Sequence, residues 1–366
     1  MNTPQEFRVL LEGFRRLEAR QFEGGAALAT LTRTQGSTFR RAGARMLVCG
    51  DGTVVRGLSG GCPEADIIAR AREVIAGGGA RIVRYDRDNG LDALIELGCG
   101  GELEVLIEPV TRREELRFVG VVERCLQERG DGVLATAFAR DGVCIAPRPR
   151  RLVWSGQTLL DELEDPGLSA AVTRLAAGPV ERRPQVRRLE SAHGGAVDVL
   201  FESLLPPYAA VLVGVNAASL ALARIGVSLG WDVSVVDHRG DARPPLELPD
   251  AATWLAATPE QLTQRLSFDS RCFAVVMTHN LERDIEYLHR LLPAPLAYLG
   301  AIGSRQRVQK LLAACGGAAS KLRAPAGLDL GSETPEEIAL AIAAEILAVS
   351  NGRSGTPLSA GDGPIH

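Results

Sequence analysis

The sequence predicts an α/β protein whose second half is a doubly wound, parallel sheet. Hydrophobic residues make up 46% and charged residues 23% of the 366 residues, which is the balance of a folded globular chain. Aromatic residues make up only 4%, so the core consists mainly of Ala, Val, Leu and Ile, which suits parallel strands buried under helices. After Pro206-Pro207, short apolar runs alternate with helical segments, which is the βαβ pattern of an open parallel sheet.

The first half begins with an amphipathic helix and continues with short strands. Apolar residues at helical spacing predict a helix over 4–20, and the run Ala26–Leu31 predicts a strand. The turn Gly50-Asp51-Gly52 predicts a hairpin between strands at 45–49 and 53–58. The remaining elements expected before the break are a helix from 62 to about 76, strands at 80–85 and 102–107, a helix near 112–128, strands near 133–139 and 143–154, a helix near 158–176 and a strand at 197–201.

The second half alternates strands with helices up to a final long helix. Its expected elements are strands at 209–213, 232–236, 274–277 and 296–299, with helices at 217–229 and 335–349. Glycine, serine and proline dominate the residues that follow. We therefore divide the chain into an N-terminal α/β domain (1–205), a Rossmann-like domain (206–350) and a tail (351–366) that we expect to be disordered.

Charge and cysteine usage exclude several classes of protein. Forty-one basic and 45 acidic residues give a net charge of −4, which argues against nucleic acid as a partner. The N-terminus lacks the basic and apolar regions of a signal peptide, and no charge-free apolar run is long enough to span a bilayer. The seven cysteines are odd in number and form no C-x-x-C pair, so we expect reduced thiols and a cytoplasmic location without a membrane partner.

The first motif with chemical potential is Gly60-Gly61-Cys62-Pro63-Glu64. Proline favours the first helical turn, so Cys62 is expected at or beside a helix N-cap. Backbone N–H groups and the macrodipole there favour a thiolate, which is a soft metal ligand. The alternative is that Cys62 is a small buried hydrophobic residue.

The second motif is Gly98-Cys99-Gly100-Gly101. Three glycines hold one cysteine in an open turn, although the thiol could equally be incidental to a glycine-rich hairpin. Because Cys62 and Cys99 share this setting, we predict that they are the functional thiols. The other five cysteines lie in apolar or helical sequence and are expected to be structural.

The first turn of the Rossmann-like domain, Gly214-Val215-Asn216, stands where a G-x-G-x-x-G dinucleotide fingerprint is expected. Asp237 follows at the position of the acid that binds the ribose. The second glycine of the fingerprint is Asn216, however, and the third is Ser219. A side chain at the second position obstructs the pyrophosphate, so we expect the fold without tight NAD(P) binding.

Two further strand ends carry polar residues where ligands bind in such sheets. His279 follows one predicted strand, and Gly303-Ser304-Arg305 follows another and opens a helix. A glycine, a hydroxyl and an arginine at a helix N-terminus form an anion site. His279 is equally compatible with a structural role.

The motifs in this order resemble the XdhC/CoxI family of accessory factors for molybdenum hydroxylases such as xanthine dehydrogenase. The matching segments are Gly36-Ser37-Thr38 with Arg40 and Gly43-Ala44, Gly60-Gly61-Cys62 with Glu64, Gly98-Cys99-Gly100-Gly101, Val236-Asp237, Thr278-His279-Asn280, Tyr298-Leu299-Gly300 with Ile302-Gly303-Ser304-Arg305, and Gly327-Leu328-Asp329-Leu330-Gly331 with Glu333-Thr334-Pro335-Glu336-Glu337. The chain departs from the family at Phe39, where proline is usual, and at Asn216.

The resemblance implies a factor that binds the molybdenum cofactor, a pterin phosphate that carries molybdenum on a dithiolene. It would protect the cofactor, present it for exchange of an oxo for a sulfido ligand and insert it into the apo-enzyme. Whether the cofactor is molybdopterin or its cytosine dinucleotide form stays open. The implied partners are the client hydroxylase, a cysteine desulfurase and a second copy of the chain. The residues implied at the site are Arg40, Gly60, Gly61, Cys62, Glu64, Gly98, Cys99, Gly100, Asp237, His279, Gly303, Ser304 and Arg305, with Cys62 and Cys99 as ligands to molybdenum.

Two other functions stay open at this stage. The first is an NAD(P)-dependent oxidoreductase, which a doubly wound domain permits by analogy of fold. The second is an adaptor in which both glycine-cysteine turns are structural. If the thiols and the anion site serve one ligand, we expect that ligand between the two domains.

Overall fold

The chain folds into two compact units, residues 1–206 and 207–366. The computed structural model describes residues 4–36, 38–58, 62–86, 101–179, 183–239 and 243–360. Within the described residues, the first unit contains two antiparallel sheets and the second contains one parallel sheet.

The first sheet is antiparallel and covered on both faces. It consists of β1 (Ala26–Gln35), β2 (Arg45–Cys49), β3 (Val54–Val55), β4 (Arg81–Tyr85) and β5 (Glu102–Val110), in the order β3-β2-β1-β5-β4, with α1 (Pro4–Ala19) and α2 (Cys62–Gly77) packed against it. Phe7 of α1 shares one hydrophobic core with Leu28, whereas Ile67 of α2 shares another core with Ala29. Since alternate side chains of β1 enter two cores, this strand is apolar on both faces.

The second sheet shares its core with the first. Its strands are β6 (Gly132–Arg140), β7 (Val143–Cys144), β8 (Arg150–Ser155), β9 (Gln157–Asp161), β10 (Gln185–Glu190) and β11 (Ala196–Leu204), in the order β10-β11-β6-β8-β9 with β7 beside β6, and its helices are α3 (Arg117–Gln127), after a 3-10 turn at Arg113–Leu116, and α4 (Pro166–Ala176). Val122 of α3 and Leu134 of β6 join the core that contains Leu28. The opposite face is covered by α4 through Leu168 and Val172.

Two buried ion pairs join the sheets of the first unit. Arg45 of β2 donates to both carboxylate oxygens of Glu202 on β11, at 2.7 and 2.5 Å. Arg151 of β8 pairs with Glu108 of β5, and all four side chains are at most 4% exposed. Breaking such a pair destabilises a protein by about 3–5 kcal/mol, because it leaves one buried charge uncompensated. The pairs therefore hold the two sheets in register.

The second unit is a doubly wound parallel sheet. Its strands are β12 (Ala209–Val213), β13 (Asp232–Asp237), β14 (Thr253–Ala256), β15 (Cys272–Val276), β16 (Tyr298–Ala301) and β17 (Leu322–Arg323), and its helices are α5 (Ala217–Ser228), α6 (Pro259–Arg265), α7 (Leu281–Leu291), α8 (Arg305–Cys315) and α9 (Pro335–Ser350). The strand order β14-β13-β12-β15-β16-β17 is that of a Rossmann fold. Helices α5 and α9 cover one face, whereas α6, α7 and α8 cover the other. The predicted fold class is confirmed.

One predicted element is wrong: residues 157–161 form strand β9, not the start of a helix. Gly156, with φ of +67°, turns the chain so that β9 pairs with β8 as a hairpin. Helix α4 begins only at Pro166, after Asp165 accepts a hydrogen bond from the Leu168 N–H at 3.0 Å. Pairing with β8 outweighs the helical propensity of the leucines in this segment.

The C-terminal segment continues past α9 into a short turn. Leu358–Ala360 form a 3-10 turn, and residues 361–366 of the predicted tail lie outside the described residues. In the part of the chain that is described, every helix is too short or too polar to cross a bilayer.

Candidate functional site

The described flanks of three sequence motifs lie at one end of the first sheet. Strand β1 ends at Gln35, opposite Glu102 at the start of β5, and β4 ends beside that start at Tyr85. The loop that follows Gln35 therefore leaves the same end as the segment that connects β4 with β5. The Tyr85 hydroxyl also donates to Asp66 in α2 at 2.7 Å, which places the start of α2 there as well.

Cys62 is the first residue of α2, as the sequence predicted for a cysteine before Pro63. Its side chain, together with Gly60 and Gly61, lies outside what the structure describes. A residue in the first turn stands at the positive end of the helix macrodipole, which favours an anionic sulfur.

The second glycine-cysteine turn lies between described flanks. Gly98, Cys99 and Gly100 are outside the described residues, whereas Asp86 and Gly101 mark where their segment leaves β4 and returns to β5. That Cys99 is a functional thiol stays a prediction.

Arg40 and Glu64, both predicted to bind a cofactor, hold the loops beside this end of the sheet. Arg40 forms an ion pair with Glu6 of α1, and their side chains are only 19% and 17% exposed. Glu64 accepts a hydrogen bond from the Leu58 N–H at 3.2 Å. A Cβ at Gly57 would lie 2.8 Å from the Glu64 carboxylate, so this carboxylate packs directly on the backbone before the first glycine-cysteine turn.

A cleft of about 470 Å³ opens between this end of the first sheet and β10 of the second. Its polar lining includes Arg33, Gln35, Arg84, Glu102, Glu104 and Gln185. This volume lies in the usual range for small-molecule sites, about 300–1,000 Å³. Sequence reasoning missed all six residues. A signal was available in the sequence, because Glu104 lies between the apolar residues Leu103 and Val105 of a predicted strand. A carboxylate that such a strand buries requires a partner.

Glu104 is the centre of a hydrogen-bond network at the floor of the cleft. It accepts from Arg33 Nη1 at 2.5 Å, from Arg84 Nε at 2.9 Å and from the Thr32 hydroxyl at 2.8 Å. Burial alone would raise the pKa of Glu104, but these three donors bring it below its ordinary value. Arg33 also pairs with Asp198 of β11 at 2.9 Å, so it links the two sheets.

In the second unit, Asn216 fills the turn where a dinucleotide fingerprint has its second glycine. Its Oδ1 accepts from the Ser219 N–H at 3.0 Å, and its Nδ2 donates to the Met277 carbonyl at 2.7 Å. Gly214 has φ of +111°, and a Cβ there would lie 2.8 Å from the backbone of Met277 and Thr278. The turn after β12 therefore packs closely against the residues that follow β15, the neighbouring strand.

Asp237 stands at the end of β13, where the sequence predicted it, and is 1% exposed. Arg239 binds both of its oxygens, with Nη2 to Oδ2 at 2.6 Å and Nε to Oδ1 at 3.0 Å. Burial would raise the pKa of Asp237, but the hydrogen bonds and charge of Arg239 lower it below the ordinary value. An acid bound in this way is a weaker acceptor for a ribose hydroxyl.

His279 and Arg305 are exposed at the carboxyl edge of the third sheet, and no hydrogen bond or ion pair engages either side chain within the described chain. Gly303 and Ser304 precede Arg305, and the Ser304 hydroxyl accepts from the Arg307 N–H at 3.3 Å. Ser304 thus caps α8, whereas its predicted role in anion binding is untested.

Arg307 lies outside every motif singled out in the sequence. Its guanidinium pairs with Asp284, which is fully buried at the start of α7, and donates to the Thr278 carbonyl at 3.1 Å. The Thr278 hydroxyl in turn donates to Asp284 at 2.5 Å. A Cβ at Gly303 would lie 2.7 Å from Arg307, so this glycine makes room for the arginine. The network fixes α7 and α8 at the ends of β15 and β16.

The five cysteines outside the two motifs are free thiols inside the protein. Cys125, Cys272 and Cys315 are buried, whereas Cys49 and Cys144 are half-buried. Burial raises the pKa of Cys49, Cys125 and Cys315, and it raises that of Cys144 to about 11. Among the described residues, no group of three or more His, Cys, Asp or Glu is arranged to hold a metal ion.

Comparisons with known proteins match both halves of the chain. A family model described as the XdhC and CoxI family matches residues 20–86, and one described as the XdhC Rossmann domain matches residues 210–346. A protein of Bacillus subtilis (strain 168) that is named as a probable xanthine dehydrogenase subunit is 28% identical over 325 residues, which cover 88% of this chain and 92% of that protein.

Two further relatives cover most of the chain. The molybdenum cofactor insertion chaperone PaoD of Escherichia coli (strain K12) is 24% identical over 339 residues, which cover 91% of this chain and 86% of PaoD. The crystal structure of a protein described as a xanthine dehydrogenase from Bacillus halodurans aligns with a TM-score of 0.73 at 23% identity, covering 92% of this chain and 95% of that one. This likeness shows a shared fold.

Proposed function

The chain belongs to the XdhC and CoxI family, and on that premise we propose that it is a maturation factor for a molybdenum hydroxylase of the xanthine dehydrogenase type. It binds the molybdenum cofactor as cargo, protects it, supports replacement of an oxo by a sulfido ligand and inserts it into the apo-enzyme. Two relatives support this role, since one is named as a molybdenum cofactor insertion chaperone and the other as a probable xanthine dehydrogenase subunit. The protein acts as an accessory factor and not as a turnover enzyme.

The observation that supports the proposal is that the described flanks of three motifs lie at one end of the first sheet, beside the cleft. The loop after Gln35, the start of α2 at Cys62 and the flanks of the Cys99 segment share one end of the first sheet. The cleft at that end has the volume of a small-molecule site, and polar and charged side chains are part of its lining. These features fit a polar cofactor that needs a soft ligand for its metal.

Each part of the cargo has candidate residues. Cys62 and Cys99 would supply thiolates to molybdenum, which prefers soft ligands of this kind. The cleft would hold the organic part. In the second unit, His279 and Arg305 stay candidates for the phosphate, because Arg305 opens a helix and both side chains are exposed.

The proposed partners follow from the same role. They are the apo molybdenum hydroxylase, a cysteine desulfurase as the sulfur donor and a second copy of this chain as a homodimer. The molybdopterin and cytosine-dinucleotide forms of the cofactor both fit the proposal.

The test is the molybdenum content of the protein isolated from cells that make the cofactor, together with activation of the client hydroxylase. We expect the wild-type protein to contain molybdenum. Molybdenum content and client activation should each fall at least tenfold in Cys62→Ser, Cys99→Ser or the double variant. Cys49→Ser is the matched control, because Cys49 pairs with Ala26 at the opposite end of the first sheet. Wild-type protein without molybdenum, or full client activation by the double variant, would contradict the proposal.

A further inference from the structure

Polar side chains from two different sheets line the cleft without a partner in the described chain. The Glu102 carboxylate and the Gln185 amide both line the cleft and are half-buried, yet neither forms a hydrogen bond or an ion pair with any described residue. They come from different sheets, Glu102 from β5 and Gln185 from β10. Unpaired polar groups inside a cavity are the groups that a ligand can bind without breaking internal contacts.

The charges of the cleft select against an anion. Three carboxylates, from Asp86, Glu102 and Glu104, line it together with two arginines. Arg33 is paired with Glu104 and Asp198, and Arg84 is paired with Glu104. The cationic groups are therefore already balanced, and a phosphate placed here would meet the unpaired Glu102. A neutral ligand that presents N–H donors fits better.

The ring of a pterin presents such a set of donors along one edge. Its 2-amino group and its N3–H donate in parallel, as a guanidinium does, and the 4-oxo group beside them accepts. A carboxylate can accept both donors while a side-chain amide donates to the oxo group. Glu102 and Gln185 are a carboxylate and an amide that face one cleft.

We propose that this cleft is the subsite for the pterin ring, with Glu102 accepting from the 2-amino and N3–H groups and Gln185 donating to the 4-oxo group. The inference rests on the proposed function and assigns residues to one end of the cargo. The cytosine of a dinucleotide form lacks two adjacent donors of this kind, so the cleft holds the pterin end.

The experiment compares two fluorescent probes that differ at one position. Pterin carries the 2-amino group, whereas lumazine carries an oxo group there and keeps the 4-oxo group. We expect the full-length protein to bind pterin about tenfold more tightly than lumazine in fluorescence titrations. Glu102→Gln should reduce that preference to less than about threefold. Glu128→Gln, at the exposed end of α3, is the control and should leave the preference unchanged.

A second variant separates the two contacts. Because both probes carry the 4-oxo group, Gln185→Leu should weaken both by a similar factor and leave the preference intact. Equal affinity of the wild-type protein for both probes, or an unchanged preference in Glu102→Gln, overturns the proposal. If the wild-type protein retains molybdenum in either case, the maturation role stands and only the subsite is wrong. Absence of both molybdenum and pterin binding removes both proposals.

Discussion

The end of the first sheet and the carboxyl edge of the third sheet both gather polar residues, but they leave them in different states. At the third sheet, Asn216, Asp237 and Asp284 are bound by neighbouring groups of the same unit. At the first sheet, Glu102 and Gln185 line a cleft and have no partner among the described residues. The buried polar groups at the edge of the third sheet are internally satisfied, and His279 and Arg305, which have no partner in the described chain, are exposed there. The end of the first sheet instead has half-buried polar groups without such a partner.

The difference teaches that a turn can stand at the position of a dinucleotide fingerprint while its polar side chain bonds within its own unit. Asn216 stands where a dinucleotide fingerprint has its second glycine, yet its side chain caps α5 and donates to the Met277 carbonyl just after β15. Conversely, the cleft of the first unit lies beside Glu102, which matches no short motif. Which groups stay unpaired indicates function better than the motif alone.

The largest expected effect comes from breaking a buried ion pair between the two sheets of the first unit. Arg45→Met leaves Glu202 buried without its cation, so we expect the free energy of unfolding in urea to fall by about 3–5 kcal/mol. Arg15→Met is the control, because its pair with Glu123 is exposed and should matter by no more than about 1 kcal/mol. A loss below about 1 kcal/mol in Arg45→Met would show that the sheets are not held by this pair.

The next effect concerns thiol reactivity in the first unit. With a pKa of about 11, Cys144 is a thiolate in roughly 0.1% of molecules at pH 8, against about a quarter for an ordinary thiol. Iodoacetamide should therefore modify Cys62 and Cys99 about a hundredfold faster than Cys144, as measured by peptide mass spectrometry. In urea the rates should become equal. Slow alkylation of both motif cysteines in the folded protein would argue that they are structural.

A smaller effect tests the closed turn of the third sheet. Asn216 stands where the fingerprint's second glycine lets a pyrophosphate approach the backbone, and its side chain is bonded to Ser219 and Met277. NADH should therefore bind with a dissociation constant of roughly 100 μM or weaker, about 5.5 kcal/mol or less. Asn216→Gly should tighten binding about tenfold by calorimetry. Asn280→Gly, which removes the cap of α7 instead, is the control and should leave the affinity for NADH unchanged. Low-micromolar binding by the wild-type protein would restore the oxidoreductase alternative.

The smallest effect is a change in how the free energy of unfolding depends on pH in acid, caused by Glu104 in the cleft. The folded state holds the pKa of Glu104 below its ordinary value of 4.5, so the unfolded chain binds the proton more readily. The stabilisation is present above pH 4.5 and is lost as the pH falls toward the lower pKa of the folded state. Glu104→Gln should therefore show a shallower loss of stability on the acid side than the wild-type protein. Identical slopes would contradict this account.

Much of the third sheet could be predicted because its signals are local. Each main strand precedes its own helix, as Ala209–Val213 precedes α5, so alternation alone gives the fold. Strand β14 was not predicted, because it is a four-residue, half-buried edge strand. Residues 158–161 were assigned to a helix, because their pairing with β8 depends on a tight turn at Gly156 and not on helical or strand propensity.

The candidate site was predicted only in part, because only some of its residues carry a local signal in the sequence. Pro63 marks the helix start at Cys62 within a few residues, so that position followed from sequence. The network of Arg33, Glu104 and Asp198 joins residues from β1, β5 and β11. These residues are far apart in the sequence, so no local pattern predicts that they interact. A rule that every charged residue in an apolar strand needs a partner would have flagged its members without pairing them.

The distance along the chain between Arg45 and Glu202 has a consequence for synthesis on the ribosome. The two are 157 positions apart. At about 5–20 residues per second, Glu202 is added roughly 8–30 seconds after Arg45. During that interval the nascent first sheet lacks the carboxylate that neutralises its central arginine and the strand β10 that forms one wall of the cleft. The cleft therefore forms only after residue 204 has been made, so a ligand can bind there only to a chain in which both sheets of the first unit are complete.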